Sequence, residues 1–274
     1  MHPNVPFPRL PEWLPVEAEN RPVELRAFGS EMNDLGVDFA GMERPWLVTS
    51  LLCHCAQTAA GQPPSEEVIW ALPVSTRIEA VVTLACCSST RPLEWLVRCG
   101  NADCRAEAEL ELTAAEIREA TAEAYTGKLA PIQIGGHSAF LRRPTGDDLR
   151  RWRAGEAGAA SMAAALLVEP PLDDLAGDGI TTQEIDDSLD RAMEQYDPLV
   201  GFHLDVSCPE CGHPTAQAPD LAGAALERLW RAQLGLIDQV HRLASHYHWT
   251  EEEIAKVPAW RRQSYLARID GGEW

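Results

Sequence analysis

Two stretches decide the fold: residues 93–112, which read LEWLVRCGNADCRAEAELEL, and residues 202–213, which read FHLDVSCPECGH. On both sides of the first cysteine pair, and before the second, apolar residues recur at every other position. This alternation is typical of strands that have one buried face. The cysteines lie between the strand segments, so we predict two β-hairpins that carry cysteine pairs at their turns. The first turn covers Gly100 to Asp103, and the second hairpin ends near Ala218.

The spacing of these cysteines predicts a metal site. Cys208 and Cys211 are separated by two residues and followed by Gly212, which tolerates the positive φ often needed after a second ligand. Cys99 and Cys104 form a wider pair. Four thiolates suit one Zn²⁺ ion in a tetrahedron, and a full set of protein ligands is typical of a structural site. We therefore predict one structural zinc ion held by Cys99, Cys104, Cys208 and Cys211, with the two hairpins forming a split zinc ribbon.

Other interpretations of these residues stay open. One alternative is that the cysteines are free thiols. Another is that Cys208 and Cys211 form a redox pair, although such a pair usually opens a helix. His203 and His213 lie close enough to replace a missing thiolate. Elsewhere, Cys53-His54-Cys55 and Cys86-Cys87 are interpreted as core residues, because free cysteine is often buried. His246 and His248 are interpreted as structural residues at a helix end.

Helices are predicted around this ribbon. Thr113, Thr181 and Thr250 are each followed three residues later by a glutamate, which is the pattern of a capping box. Each threonine also follows an apolar residue that can pack against an isoleucine in the first turn of the helix, which is a hydrophobic staple. Extended chain is expected at Pro131 to Arg143, with a bend at Gly135-Gly136, and a loop at Glu169 to Gly179. The predicted helices cover Trp46 to Ala60, Glu66 to Ala85, a segment after Thr113, Asp147 to Arg153 after Thr145, Gly158 to Val168, Thr181 to Gln195, Leu221 to His246, Glu251 to Lys256 and Ala259 to Ile269.

The fold class we predict is α+β, mainly helical. Residues 1–65 form an irregular arm and a first helix, and residues 66–274 form a helical body. The split ribbon comprises residues 93–112 and 200–219, and the C-terminal helices lie within residues 221–269. The apolar spacing on the long helix places Trp230 in the core, and Trp249 and Trp260 are expected at core or staple positions.

Composition excludes several classes of function. The formal net charge is −19, which opposes binding to phosphate backbones and favours protein partners. No apolar run is long enough to span a membrane. The start, MHPNVPFPRLPEWLP, lacks the pattern of a secretory signal, so we expect a reducing compartment and metal binding by the paired cysteines. No motif of a phosphate-binding loop, zinc protease or serine hydrolase occurs, and no residue is assigned catalysis. The arginines between Arg142 and Arg153 either bind an acidic partner or form a solvated face.

Three blocks of the sequence resemble one family. They are residues 140–149, FLRRPTGDDL; residues 197–213, DPLVGFHLDVSCPECGH; and residues 240–254, VHRLASHYHWTEEEI, followed by WRRQSYL at 260–266. The chain from about Glu66 to Ile269 resembles the baseplate hub assembly chaperones of contractile-tailed phages and the zinc-ribbon relatives encoded with phage-tail-like contractile injection systems. In this family two residues usually separate the cysteines of a knuckle, whereas four residues separate Cys99 from Cys104.

The resemblance implies a function without catalysis. Such a protein binds baseplate hub or spike subunits in the bacterial cytoplasm and assists assembly of the tail or injection-system baseplate. It either leaves before completion or remains as a structural subunit. Two rival classes are a nucleic-acid-binding zinc ribbon, which the negative charge disfavours, and a zinc enzyme, which needs an open coordination position.

Overall fold

The structure is a computed structural model that describes residues 24–29, 31–57, 62–87, 91–122, 124, 127–155 and 159–271. The chain is a mixed α/β protein that is mainly helical, with small antiparallel sheets, as the sequence predicted. Most of the predicted N-terminal arm, residues 1–23, lies outside the described residues. The boundary proposed at residue 65 stays a prediction.

Helices dominate the described residues. A short 3₁₀ helix, Met32–Gly36, precedes them. The α-helices are α1 (Arg44–Cys55), α2 (Glu66–Trp70), α3 (Val74–Cys87), α4 (Ala114–Thr121), α5 (Gly146–Arg153), α6 (Ala159–Leu166), α7 (Leu172–Gly177), α8 (Thr182–Tyr196), α9 (Leu221–Tyr247), α10 (Glu251–Ala255) and α11 (Ala259–Ile269).

Each strand pairs with a strand that is next to it in sequence order. The strands are β1 (Glu24–Leu25), β2 (Ala56–Gln57), β3 (Leu93–Arg98), β4 (Glu107–Leu112), β5 (Leu129–Ile134), β6 (His137–Arg142), β7 (Leu167–Glu169), β8 (Leu204–Ser207) and β9 (Pro214–Gln217). All pairs are antiparallel: β1 with β2, β3 with β4, β8 with β9, and β5, β6 and β7 in one three-stranded sheet. The two cysteine hairpins are β3–β4 and β8–β9.

The main hydrophobic core lies under the cysteine hairpins. Side chains from α1, α3, α4 and the first half of α9 pack there, together with Leu25 and Phe28 from the N-terminal segment. Leu93 at the start of β3 and Leu112 at the end of β4 are buried in the same core, while the tip of that hairpin extends away from it. The core therefore fixes the base of the first hairpin.

Two smaller cores complete the fold. The sheet β5–β6–β7 packs against α6, α7 and α8 around Leu141, Ile185 and Tyr196. The end of α9 packs with α10 and α11 around Leu243, Ile254 and Leu266. Hydrogen bonds from Val74 N to Pro144 O and from Gly146 N to Leu72 O, of 2.8 and 3.0 Å, join the sheet to the main core. Among the described residues, no helix combines the length and apolar character that a bilayer span requires.

The helix starts predicted from capping boxes are confirmed. The side chains of Thr113, Thr181 and Thr250 each accept a hydrogen bond from the backbone N–H of the glutamate three positions later. The carboxylate of that glutamate in turn accepts a hydrogen bond from the backbone N–H of the threonine. Thr145 forms the same reciprocal arrangement with Asp148. These bonds lie within four residues, so local sequence is enough to predict them.

Several element boundaries were wrong. The helix predicted from Glu66 to Ala85 is two helices, because Pro73 lacks the N–H that a continuous helix would need. The predicted loop from Glu169 to Gly179 contains α7, whose Leu175 is fully buried. The helix expected to reach Val168 ends at Leu166, because β7 pairs with β6. The first helix ends at Cys55, where Ala56 starts the strand that pairs with β1.

Two tryptophan assignments were also wrong. Trp230 is 46% exposed and Trp260 is 69% exposed, whereas both were expected to be covered. Trp230 lies on a face of α9, with Leu234 and Ile237, that no element of the described chain buries. Helical spacing identifies an apolar face but does not say whether this chain covers it.

Candidate metal centre

The two cysteine hairpins have turns of the same design. In each, the first cysteine closes the ladder: Cys99 N donates to Ala106 O at 2.9 Å, and Cys208 N donates to His213 O at 3.0 Å. In each, the residue after the second cysteine has a left-handed conformation, with φ of 51° at Arg105 and 70° at Gly212. A positive φ is uncommon for a residue with a side chain. The longer first turn thus reaches the same local geometry as the shorter second one.

The hairpins meet at a close backbone approach beside the cysteines. Gly100 N donates to Thr215 Oγ1 at 3.2 Å, and Gln217 Nε2 donates to Arg98 O at 3.5 Å. A Cβ at position 100 would lie 3.1 Å from two atoms of the Thr215 side chain. Gly100 therefore allows the first turn to approach β9 closely beside the two cysteine pairs.

The four predicted ligands come together. Their Sγ atoms all lie within 4.8 Å of one another, with cross-hairpin distances of 3.7 Å from Cys99 to Cys211 and 3.8 Å from Cys104 to Cys208. A tetrahedron of sulfurs at a metal–sulfur distance of about 2.3 Å has edges of about 3.8 Å. The observed distances match these edges, so the group can hold one metal ion.

Backbone N–H groups point at the sulfurs. Asn101 N lies 3.4 Å from the Cys99 sulfur. Hydrogen bonds from the backbone of Cys211 and Glu210 lower the pKa of the Cys208 thiol to about 7. Such bonds favour the thiolate, which is the form that binds metal. Cys208 is the buried member of the group and Cys211 the exposed one.

The pKa values of Cys99 and Cys104 are raised rather than lowered. The Asn101 N–H lowers the pKa of Cys99, but desolvation and the sulfurs of Cys208 and Cys211 outweigh it and raise that pKa to about 12. The pKa of Cys104 is raised in the same way, against the hydrogen bond from Ala106. Four thiolates this close repel one another, so a bound dication would displace the remaining protons.

The structure bears on the alternative interpretations of these residues. Cys208 and Cys211 lie in the turn between β8 and β9 and do not open a helix, as a redox pair of the thioredoxin type would. No disulfide joins any of the four cysteines. His213 is exposed and its carbonyl closes the β8–β9 ladder, whereas His203 lies before β8 beside Gly201 O. Within the described chain, no other group of three or more His, Cys, Asp or Glu side chains converges as metal ligands.

The remaining cysteines and histidines have structural surroundings. Cys55 is fully buried in the main core, and burial raises the pKa of the half-buried Cys53 to about 11. His54 Nε2 lies 3.1 Å from the buried carboxylate of Asp34. His248 ends α9 in a left-handed conformation with φ of 58°, which is a capping role. The side chain of Cys87 lies outside the described residues.

Sequence reasoning missed the contacts that bring the hairpins together. The alternation of β3 and β8 predicts a buried face on each hairpin but not that Gly100 meets Thr215 or that Gln217 meets Arg98. The one local signal was glycine directly after Cys99, since glycine often marks a close approach of two backbones.

No model of a protein family, no curated protein and no solved structure matches this chain. The fold and the site by themselves define a mainly helical protein in which two distant hairpins bring four cysteines into one cluster.

Proposed function

We propose that Cys99, Cys104, Cys208 and Cys211 bind one structural Zn²⁺ ion, so that the two hairpins form a split zinc ribbon. We further propose that the protein is a non-enzymatic assembly factor for the baseplate or hub of a contractile tail or injection system. The convergence of four sulfurs from two distant hairpins is the observation that carries the proposal.

Zinc fits the donor set best. Thiolate ligands in a tetrahedral arrangement favour zinc or an iron–sulfur centre over hard cations. The cross-hairpin sulfur distances of 3.7 and 3.8 Å equal those of a single tetrahedral ion. Four protein ligands leave no position for water or substrate, so the ion would cross-link the chain rather than activate a reactant.

The ion would cross-link two hairpins that lie far apart in sequence. Cys104 and Cys208 are 104 positions apart. The chain between them builds the three-stranded sheet and its helices, and the second hairpin leads directly into α9. Closing a loop of this length costs little more than closing a short one, because the entropy of closure grows with the logarithm of length. The clamp would therefore stabilise the main core and α9 together.

The assembly role is supported by the three blocks that carry the family resemblance. The first forms the end of β6 and the capped start of α5. The second begins directly after α8 and contains β8 and the turn that carries Cys208 and Cys211. The third forms the end of α9, an aromatic cluster and the helices α10 and α11. Each block is thus a structural junction, and none of them contains a catalytic constellation among the described residues.

Surface chemistry favours protein partners. Trp260 and Trp230 are large exposed aromatic side chains of the kind enriched at energetically important contacts. The net charge of −19 disfavours a nucleic acid partner. We propose hub or spike subunits as partners, in the bacterial cytoplasm. A subunit that remains in the finished baseplate is the second candidate.

A deletion of the gene tests the assembly role. We expect electron microscopy of the deletion strain to show missing or incomplete baseplates, with normal particles restored by the wild-type gene. Complementation with Cys53→Ser should also restore them, whereas Cys208→Ser should not. Normal particles in the deletion strain would defeat the proposal. Stoichiometric presence of the protein in purified particles would favour the retained-subunit alternative.

A further inference from the structure

A cleft of about 450 Å³ lies beside the second cysteine hairpin. One side is formed by apolar residues of α1, α3 and α5, among them Val48, Ile78 and Leu149. The other side is formed by residues 199–203, which lead into β8, and residues 218–222, which lead from β9 into α9. Its size and largely apolar walls are those of a ligand-binding site.

The charged groups that border the cleft are unbalanced. Its carboxylate, Asp220, is engaged by Arg44, whose two terminal nitrogens lie 2.9 and 2.6 Å from its oxygens, and it also accepts the N–H of Gly223 at 2.9 Å. Arg77 and Arg153 border the same cleft. Neither has a carboxylate within ion-pair distance in the part of the chain that the structure describes. The cleft is therefore locally positive in a chain whose net charge is −19.

The two arginines differ in accessibility. Arg77 is 2% exposed and donates to the carbonyls of Ile69 and Pro45 and to the hydroxyl of Thr49. Arg153, at the end of α5, is exposed and makes no hydrogen bond or ion pair with any described residue. Its neighbours on the helix, Arg150 and Arg151, are paired with Asp147 and Asp148 at 2.6 and 2.5 Å. Arg153 is thus available to an incoming anion.

We propose that this cleft binds a short segment of a partner protein that carries apolar side chains and one carboxylate. The apolar side chains pack between α3 and residues 199–202, and the carboxylate pairs with Arg153, whose planar guanidinium can donate two hydrogen bonds to it. Arg77 adds positive potential from below. The choice of a protein segment rests on the proposed assembly role, whereas the demand for a carboxylate rests on the charges alone.

Peptide binding by the purified, zinc-loaded, full-length protein tests the proposal. The probes are fluorescein-labelled octapeptides with positions drawn from Leu, Ile, Val and Phe and one Glu, together with twin peptides that have Gln in its place. We expect fluorescence anisotropy to show that the tightest Glu peptides bind about tenfold or more tightly than their Gln twins, as a charge-assisted pair requires.

Two variants with the same change of charge localise the site. Arg153→Glu should weaken the Glu peptides about tenfold or more, and Arg153→Gln should weaken them less. Arg231→Glu is the matched control, because Arg231 is 72% exposed, pairs with Glu227 on the same helix and lies outside the cleft. It should leave the affinity unchanged. Val200→Asp, at the exposed apolar rim, should weaken Glu and Gln peptides alike.

Several results would overturn the inference. Equal binding of Glu and Gln peptides would show that the cleft does not select a carboxylate. Equal effects of Arg153→Glu and Arg231→Glu would show that the peptides do not bind at Arg153. Displacement of the probes by a synthetic peptide of residues 1–23 would show that a segment of this chain, and not a partner protein, occupies the cleft. Probe affinity that falls as the protein dimerises assigns it to a second copy. None of these results bears on zinc content or on the deletion strain, so failure of this inference is distinguishable from failure of the proposed function.

Discussion

The sulfur atoms of Cys104 and Cys208 lie 3.8 Å apart, although 104 positions separate the two residues in the sequence. Each belongs to a different hairpin, and the base of each hairpin is joined to the main core or to α9. A metal ion at this point would therefore connect the local geometry of two turns to the stability of the whole body.

Removal of one ligand should remove the ion and destabilise the protein. We expect Cys208→Ser to lower zinc from one equivalent to a small fraction, because metal binding is coupled to folding and Cys208 is the buried ligand. If the ion contributes about 3–5 kcal/mol, the melting temperature falls by about 10 °C. Elemental analysis and calorimetry measure both effects.

Cys53→Ser is the control for that experiment. Cys53 is half-buried beside the main core and is not one of the four clustered thiols, so its replacement should leave the zinc content at one equivalent. Loss of zinc from this variant, or full zinc retention in Cys208→Ser, would falsify the ligand assignment.

Close approach of the two hairpins should control how tightly the metal is held. Gly100→Ala places a Cβ about 3.1 Å from the Thr215 side chain, which forces the turn away from β9. We expect faster transfer of zinc to a chromophoric chelator. Gly235→Ala, where no atom lies within 4 Å of the new Cβ, should transfer zinc at the wild-type rate. Equal rates for both variants would show that docking of the hairpins does not limit release.

Asp197 should make stability fall as pH rises. Its carboxyl is buried, and Oδ2 has no hydrogen-bond partner among the residues that the structure describes. Burial raises its pKa to about 6, against the hydrogen bond from Ser75 and the charge of Arg143. Because the unfolded pKa is about 3.9, the folded state binds more protons between pH 4 and 6, and stability decreases across that window.

Asp197→Asn removes this ionisation and tests the sign. Relative to the wild type, the variant should gain about 1 kcal/mol of unfolding free energy between pH 5 and pH 7.5, as measured by urea denaturation at each pH. Asp205→Asn, at an exposed position of β8, is the control and should show no such gain. An Asp197→Asn curve parallel to that of the wild type would show that the carboxyl is not destabilised by burial.

Two tryptophans near the C-terminal helices should have different roles, Trp249 in the stability of the fold and Trp260 in binding a partner. Trp249 stacks on Tyr247 with ring centroids 4.9 Å apart and meets Tyr265 at 5.1 Å. We expect Trp249→Ala to cost about 3 kcal/mol of unfolding free energy. Trp260 is 69% exposed, so Trp260→Ala should change stability by less than about 0.5 kcal/mol.

A pull-down with purified hub and spike proteins completes this test. The stable Trp260→Ala variant should retain less partner than the wild type, because exposed tryptophans are frequent anchors of protein contacts. Undiminished retention would mean that this side chain lies outside the interface, and a large loss of stability would mean that it is buried by a contact within the chain.

How far sequence reasoning reached depends on the range of each interaction. The capping boxes at Thr113, Thr181 and Thr250 were predictable, because both hydrogen bonds of a box join residues three positions apart. The helix α7 was missed because its short sequence has little periodicity, and burial of Leu175 against the sheet is what fixes it. Arg142 was part of a predicted basic cluster, but it pairs with Asp148, which three-dimensional packing alone reveals.

The sequence by itself determined the two hairpins, their cysteine-bearing turns and most of the helix starts, because strand alternation, turn chemistry and helix caps act over a few residues. The tertiary structure decided that the hairpins face each other, that Gly100 meets Thr215, and that Trp230 and Trp260 remain exposed. Those outcomes depend on which apolar faces this chain can cover with its own elements. Local spacing marks such faces, but only the packing of residues far apart in sequence assigns their partners.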